Sequence, residues 1–349
     1  MIELFVCALA LLLALLLTWA FKSLPAEKWQ FVATIPTNRD SDGHWTGLNL
    51  TFYGALTALG YVMAIFLMIM MCAAVGVAML PLIGLVAVLL TIIVPSSRWV
   101  ARWVEGKQHT FTVAGAVFVA AVVCPLAILI CNVVLVRLGM TPMPTLPLLA
   151  AMAISYTLGE GVGRIACISF GCCYGKPVST TIGFRRRLFQ RLHFVFEGHT
   201  KKIAYEGQLS GVPVIPIQAM TSTLYIATAV IGLWLFMHGW YTTSLIATLA
   251  ITQLWRVYSE FLRADYRGNG NISPYQLMAF ATLLIGVVYA LVYRGTFPHA
   301  PNIETGLHAI WAPEPLIALQ ILGLVIFYYT GRSEVTESRL QIRVCAEKI

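Results

Sequence analysis

The chain alternates long apolar runs with shorter polar stretches. Nine runs have the length a bilayer-crossing helix needs, about 20 residues. They cover residues 2–21, 50–74, 76–95, 111–136, 146–170, 217–238, 243–262, 274–293 and 314–331. Continuous apolar helices of this kind must bury their backbone groups within themselves, so the predicted fold is an all-α, polytopic transmembrane helix bundle of about nine spans. The first run looks like a secretory leader. It has no basic segment before it and no small-x-small site behind it, so it reads as a retained first span. The longest polar stretch is 171–216, and the alternation from Leu192 to Phe196 predicts short strands within it. There is no internal repeat and no low-complexity segment.

Composition agrees with lipid as the main solvent. Of 349 residues, 59% are hydrophobic and 11% charged, and mean hydropathy is +0.80. Soluble domains carry about 25% charged residues. Net charge is +8. The basic residues crowd into loops beside the spans and no nucleic-acid-binding motif is present, so the expected partners are anionic membrane lipids, with no nucleic acid. Numbering the loops by parity places 19 Lys and Arg on one face and two, Arg137 and Arg294, on the other. The positive-inside rule puts the 19-residue face in the cytoplasm. Cys7, Cys72, Cys124 and Cys131 sit in apolar runs and read as small hydrophobes, not as a disulfide framework.

The other two basic residues, Arg164 and Arg256, fall inside spans. A guanidinium in the membrane costs several kcal/mol or more and persists when it meets an anion. Its planar fork suits phosphate. The plain alternative is a structural ion pair. Glu160 and Arg164 are four apart, as are Arg256 and Glu260, so each pair can close on one helix, and Glu260 can also reach Arg263. Beside Arg164, Gly171 and Gly175 are expected to end the span and free backbone N–H groups, which together with the arginine would seat a phosphate. Cys167, Cys172 and Cys173 invite a zinc reading. A lone Cys-x4-Cys-Cys lacks the second ligand pair of a strong zinc site, so no metal is expected and close packing is the assigned role for at least Cys172 and Cys173. Tyr53 at the mouth of the second run and His109 before the fourth read by themselves as interfacial residues.

Together these segments resemble the bacterial prolipoprotein diacylglyceryl transferase family, from about Thr51 to Tyr293. Gly163-Arg164-x-x-Cys167 followed by Gly171-Cys172-Cys173-Tyr174-Gly175-Lys176-Pro177 carries most of the likeness. Arg256-x-x-x-Glu260-Phe261-x-Arg263-x-Asp265 comes next. Pro216-x-Gln218 looks like the family's His-Pro-x-Gln with Ile215 in place of histidine, and Phe52-Tyr53-Gly54 matches the head of its first core span. The resemblance implies a seven-span core over 50–293, with an added span and loop at 1–49 and an added span and polar tail at 294–349. It implies transfer of the diacylglyceryl group of phosphatidylglycerol to the lipobox cysteine of a lipoprotein precursor in the bacterial cell (inner) membrane, with no cofactor. Arg164 and Arg256 would hold the phosphate, and His109 is the candidate base. Tyr53, Gly163, Cys167, Gly171, Gly175, Gln218, Glu260 and Arg263 would shape the substrate site. Three features depart from the family. Its His-Gly-Gly is absent, since the chain reads His109-Thr110-Phe111; Cys167 and Cys172 stand where asparagine and glutamate are usual; and the first and last spans are additions to the usual seven. The resemblance also puts loop 171–216 outside, against the charge count. Two further readings stay open: the same lipid donor with another acceptor (a small thiol, an alcohol or a lipid), and a non-enzymatic protein that binds anionic lipid.

Overall fold

The computed structural model describes residues 1–105, 113–265, 272–295 and 300–349, and among these residues there are nine long helices. In chain order the elements are α1 Ile2–Ser23, β1 Phe31–Arg39, β2 Trp45–Thr51, α2 Phe52–Ala74, α3 Met79–Glu105, α4 Val113–Arg137, α5 Thr145–Phe170, α6 Gly183–Arg191, β3 Phe194–Val195, α7 Lys202–Tyr205, β4 Pro213–Val214, α8 Ile217–Met237, α9 Tyr241–Glu260, α10 Pro274–Val292, α11 Ile303–Trp311, α12 Pro313–Gly331 and β5 Arg332–Leu340. Among the described residues, eight helices are long and apolar enough to cross a membrane. The chain is a multi-pass helical membrane protein. The ninth long helix, α9, has 20 residues but is more polar. Its Ser244, Thr248, Thr252, Gln253 and Arg256 are buried against other helices, so protein rather than lipid solvates them.

The least apolar of the eight spans is also the most buried. Helix α5 packs against α2, α8 and α9. Its small residues allow this. A side chain on Gly60 of α2 would come within 2.9 Å of the Gly159 carbonyl oxygen, and Ser222 of α8 donates to the Gly161 carbonyl at 2.6 Å. Close backbone approach and interhelical hydrogen bonds are the usual forces between membrane helices, where apolar burial gives little.

The described contacts gather the basic loops at one end. Thr51 of β2 donates to the Gly331 carbonyl at the end of α12, and Gly175 bridges Arg263. Val100 of α3, Ala114 of α4 and Tyr275 of α10 pack together at the same end. Trp234 meets Glu3 at the opposite end.

Two expectations are revised. The polar ends of the chain are not loops: β1 and β2 form a hairpin and β5 pairs with the other edge of β2, so a small sheet, ordered β1-β2-β5, caps the bundle. Asp40 shapes the hairpin turn by accepting from the backbone N–H of Asp42 and His44 at 3.1 and 2.8 Å. The third span does not end at residue 95 but runs to Glu105, which places Arg98 and Arg102 on a helix. The short strands expected in 171–216 are present as the β3–β4 pair.

Lys201 ties that stretch to α1. Its side chain is fully buried, lies 5.6 Å from the centre of the Phe196 ring and donates from Nζ to the Leu24 carbonyl at 2.6 Å. Burial pushes its pKa down to about 8, with Glu27 and Glu197 opposing the shift. Between that value and the ordinary lysine value of about 10.4, the unfolded chain binds more protons than the folded one. Stability contributed at this site therefore rises with pH across that window. Thermal unfolding in detergent at pH about 7 and about 10 should show the rise in the wild type and a flatter response in Lys201→Met. An unchanged slope in the variant would remove Lys201 from the linkage.

Candidate active site

Glu160, on the buried face of α5, is the hub of the site. Arg164, one turn further along α5, donates from Nη2 to Glu160 Oε1. Arg256 reaches across from α9 and donates from Nη2 to both carboxylate oxygens, at 2.6 and 2.7 Å. Tyr156, one turn before, donates its hydroxyl to Glu160 Oε2 and accepts from Arg256 Nη2 at 3.1 Å. Behind Arg256, Tyr225 is buried and donates to the Thr252 carbonyl at 3.0 Å. The side chains of Arg164, Glu160 and Arg256 are only 14%, 5% and 9% exposed. The two expected ion pairs are thus one triad. Arg256 turns away from Glu260 because Glu160 lies on the buried side of α9, where its charge is compensated. Glu260 stays half-buried and acts on Arg263 only through the field. Arg263 instead makes a bidentate pair with Asp265 at 2.8 and 2.7 Å.

Two guanidinium groups against one carboxylate leave one net positive charge in a buried place. The Nε atoms of both Arg164 and Arg256 are also buried without a hydrogen-bond partner among the described residues. Unpaired buried donors on a cation are costly, and an anion seated between them removes that cost.

The glycine-rich turn corrects another expectation. Gly171 ends α5 in the left-handed conformation, φ 68°, and its N–H returns to the Cys167 and Ile168 carbonyls. The Cys172 N–H also goes to Cys167 O, at 3.2 Å. These groups are consumed by the helix cap, so Gly171 offers no phosphate seat. Gly175 is required for another reason: a Cβ there would overlap the Ile215 carbonyl oxygen. Residues 174–177 run between 262–264 and 214–215, through Lys176 N–H to Leu262 O at 2.9 Å and Ile215 N–H to Lys176 O at 3.0 Å. This strip ties the Arg164 segment to the Arg263 segment. Gln218 completes it by donating from Nε2 to the Cys172 carbonyl at 2.8 Å. Ile215, in the place of the usual histidine, packs with Val178, Phe189, Ile217 and Leu262.

Cys167, Cys172 and Cys173 come together beside Arg164, their sulfurs within 4.8 Å of one another. Arg164 Nη1 lies 3.6 Å from Cys173 Sγ. Thiol hydrogen bonds from Cys167 and Cys172, with the charges of Arg263 and Arg164, hold the Cys173 thiol well below its ordinary pKa. Tyr53 packs its ring 5.5 Å from Phe170 at the end of α5. Gly163 faces open space, with nothing within 4 Å of where a Cβ would stand. His109 lies outside the described residues. Tyr156 and the sharing of Glu160 are what sequence reasoning missed. The Glu160–Arg164 spacing was visible, but only the α5–α9 packing delivers Arg256 to it.

Among known proteins, the profile of the family described as prolipoprotein diacylglyceryl transferase matches residues 44–292. A phosphatidylglycerol–prolipoprotein diacylglyceryl transferase of Clostridium tetani (strain Massachusetts / E88) is 30% identical over 144 residues, which is 41% of this chain and 51% of that protein. A second, numbered 2, of Clostridium perfringens (strain 13 / Type A) is 30% identical over 136 residues, covering 38% of this chain and 46% of that protein. The chain spans about half the length of the curated relatives it matches.

Proposed function

The chain belongs to the prolipoprotein diacylglyceryl transferase family, and on that premise we propose that it moves the diacylglyceryl group of phosphatidylglycerol to the lipobox cysteine of lipoprotein precursors in the bacterial inner membrane. The observation that carries the proposal is the buried excess charge at Glu160, Arg164 and Arg256, with the Nε donors of both arginines left without partners among the described residues. A phosphodiester supplies the charge that this arrangement lacks. Glu160 holds both guanidinium groups on one side, so their free N–H edges are set before the lipid arrives.

An apolar cleft of about 240 Å³ lies between α1, α2 and α5, lined by Leu9, Val62, Met63, Phe66, Leu67 and Leu158. Leu158 immediately precedes Gly159 and Val62 follows Gly60 by two residues, so the cleft adjoins the place where α2 and α5 touch. Its wholly apolar lining suits an acyl chain. In the transfer, the acceptor sulfur attacks the glyceryl methylene carbon. The carbon–oxygen bond to phosphate breaks, its electron pair leaves on the phosphate oxygen, and Arg164 and Arg256 stabilise the negative charge that develops there.

The test is a transfer assay with purified protein in phosphatidylglycerol vesicles and a lipobox peptide. Glycerol phosphate should be released in step with a peptide mass gain of one diacylglyceryl group, and phosphatidylethanolamine vesicles should give neither. Glycerol phosphate release without modification of the peptide would assign the lipid donor and transfer the acceptor role to another thiol, an alcohol or a lipid. No release with any acceptor would leave only anionic-lipid binding.

A further inference from the structure

Cys167, Cys172 and Cys173 keep partial access to solvent, as Cys131 does, but these three converge on one another. On α5 the partly exposed positions Gly163, Arg164, Cys167 and Phe170 form a stripe at helical spacing that opens beside the arginine triad. The backbone is shaped to aim the thiols at one point. The left-handed Gly171 reverses the chain, and Cys173 itself has φ 55°, an unfavourable value for a residue with a side chain. That turn folds Cys173 back over Cys167, and the three sulfurs end within 4.8 Å of one another. Strain held at a point of convergence is a sign of function.

We propose that these three cysteines bind a zinc ion and leave its fourth position open for the thiol of the acceptor. The inference rests on the transferase reading for its catalytic half. Zinc accepts a tetrahedral set of thiolates at about 2.3 Å each, which needs sulfur separations of about 3.8 Å. Small side-chain rotations supply the remaining closure. Three thiolates on one Zn²⁺ carry one net negative charge, and Arg164 Nη1 stands 3.6 Å from Cys173 Sγ at the edge of the cluster. Gln218 holds the Cys172 carbonyl and the Cys172 N–H holds Cys167 O, so two ligands are already braced to one another and to α8. A structural zinc site takes a second ligand pair. An activating site needs three protein ligands and an open position, and three are present.

The chemistry answers a need that the two arginines do not meet. The acceptor thiol must become a thiolate before it can attack carbon. A coordinating thiol is deprotonated outright, and its proton passes to water. The zinc-bound sulfur then forms the new carbon–sulfur bond while the carbon–oxygen bond to phosphate breaks with its electron pair on oxygen. No electron is exchanged with any other group. The thioether product is a weaker ligand than a thiolate, so it leaves the metal.

Purified protein should contain about one zinc per chain by elemental analysis. Replacement by Co²⁺ should give a sulfur-to-cobalt charge-transfer absorption. Cys167→Ser, Cys172→Ser and Cys173→Ser should each weaken or abolish the band, and Cys345→Ser, at an exposed distant cysteine, should keep it. Stripping with a chelator should lower transfer on the order of a hundredfold, and Zn²⁺ but not Mg²⁺ should restore it. Wild-type protein that holds no zinc and gives no cobalt band overturns the site. Zinc bound in the wild type, with transfer unchanged after stripping, overturns the activating role. Zinc bound with no glycerol phosphate released from any vesicle overturns the transferase reading and the activating role together, while metal content and the cobalt band still support the site.

Discussion

Arg164→Ala and Arg256→Ala should each lower diacylglyceryl transfer by about 10²–10³-fold, the usual loss when one preorganised donor to a developing oxyanion is removed. The protein should still accumulate in membranes. The triad explains both halves of this result. Either single change leaves Glu160 paired with the other arginine, so no buried carboxylate is stranded. What disappears is the excess positive charge. Arg164→Lys and Arg256→Lys should also be poor, because an ammonium cannot hold Glu160 with one edge and offer Nε to a phosphate with another. Initial rates in phosphatidylglycerol vesicles, with protein amount read by size-exclusion fluorescence, check this. Wild-type rates in either alanine variant would return the arginines to a purely structural role.

Much of this site could be read from the chain because membrane solvation is unforgiving. A charged residue within an apolar run is rare enough that Arg164 and Arg256 stand out without any structure. Periodicity and length also placed the spans, since lipid demands long uninterrupted helices. Legibility failed where partners are tertiary. Spacing along one helix offers Arg256 the carboxylate of Glu260, yet the helix packing presents Glu160 instead. The same limit applies to Gly171 and Gly175. Their identity signals a special backbone, but a helix cap and a close carbonyl explain them as well as a phosphate does, and only the hydrogen bonds distinguish these cases. The small sheet was missed because β5 finds its partner on β2, some 280 residues earlier, with no local signal for the pairing. The three cysteines stand out as one Cys-x4-Cys-Cys group in the sequence, but how closely their sulfurs approach depends on backbone angles at Gly171 and Cys173 that spacing does not reveal.

Glu160→Gln tests the charge argument from the other side. The neutral amide keeps the size of the side chain and removes the carboxylate that serves both guanidinium groups. Two buried cations are then left with no anion among the described residues around them. Breaking a buried pair by removing one partner costs about 3–5 kcal/mol. Thermal stability in neutral detergent should fall accordingly, far more than in Glu260→Gln, whose carboxylate pairs with neither arginine. The decisive reading is the lipid dependence. An anionic phosphodiester between the arginines replaces the lost charge, and a ligand that binds only the folded state raises its apparent stability. Phosphatidylglycerol should therefore raise the unfolding temperature of Glu160→Gln more than that of the wild type, and phosphatidylcholine should raise neither preferentially. Arg164→Ala combined with Glu160→Gln removes one cation as well and should lose most of that lipid-specific gain. Equal phosphatidylglycerol gains in wild type and Glu160→Gln would mean that the lipid phosphate sits elsewhere, and the arginine triad would then be an internal brace of α5 against α9.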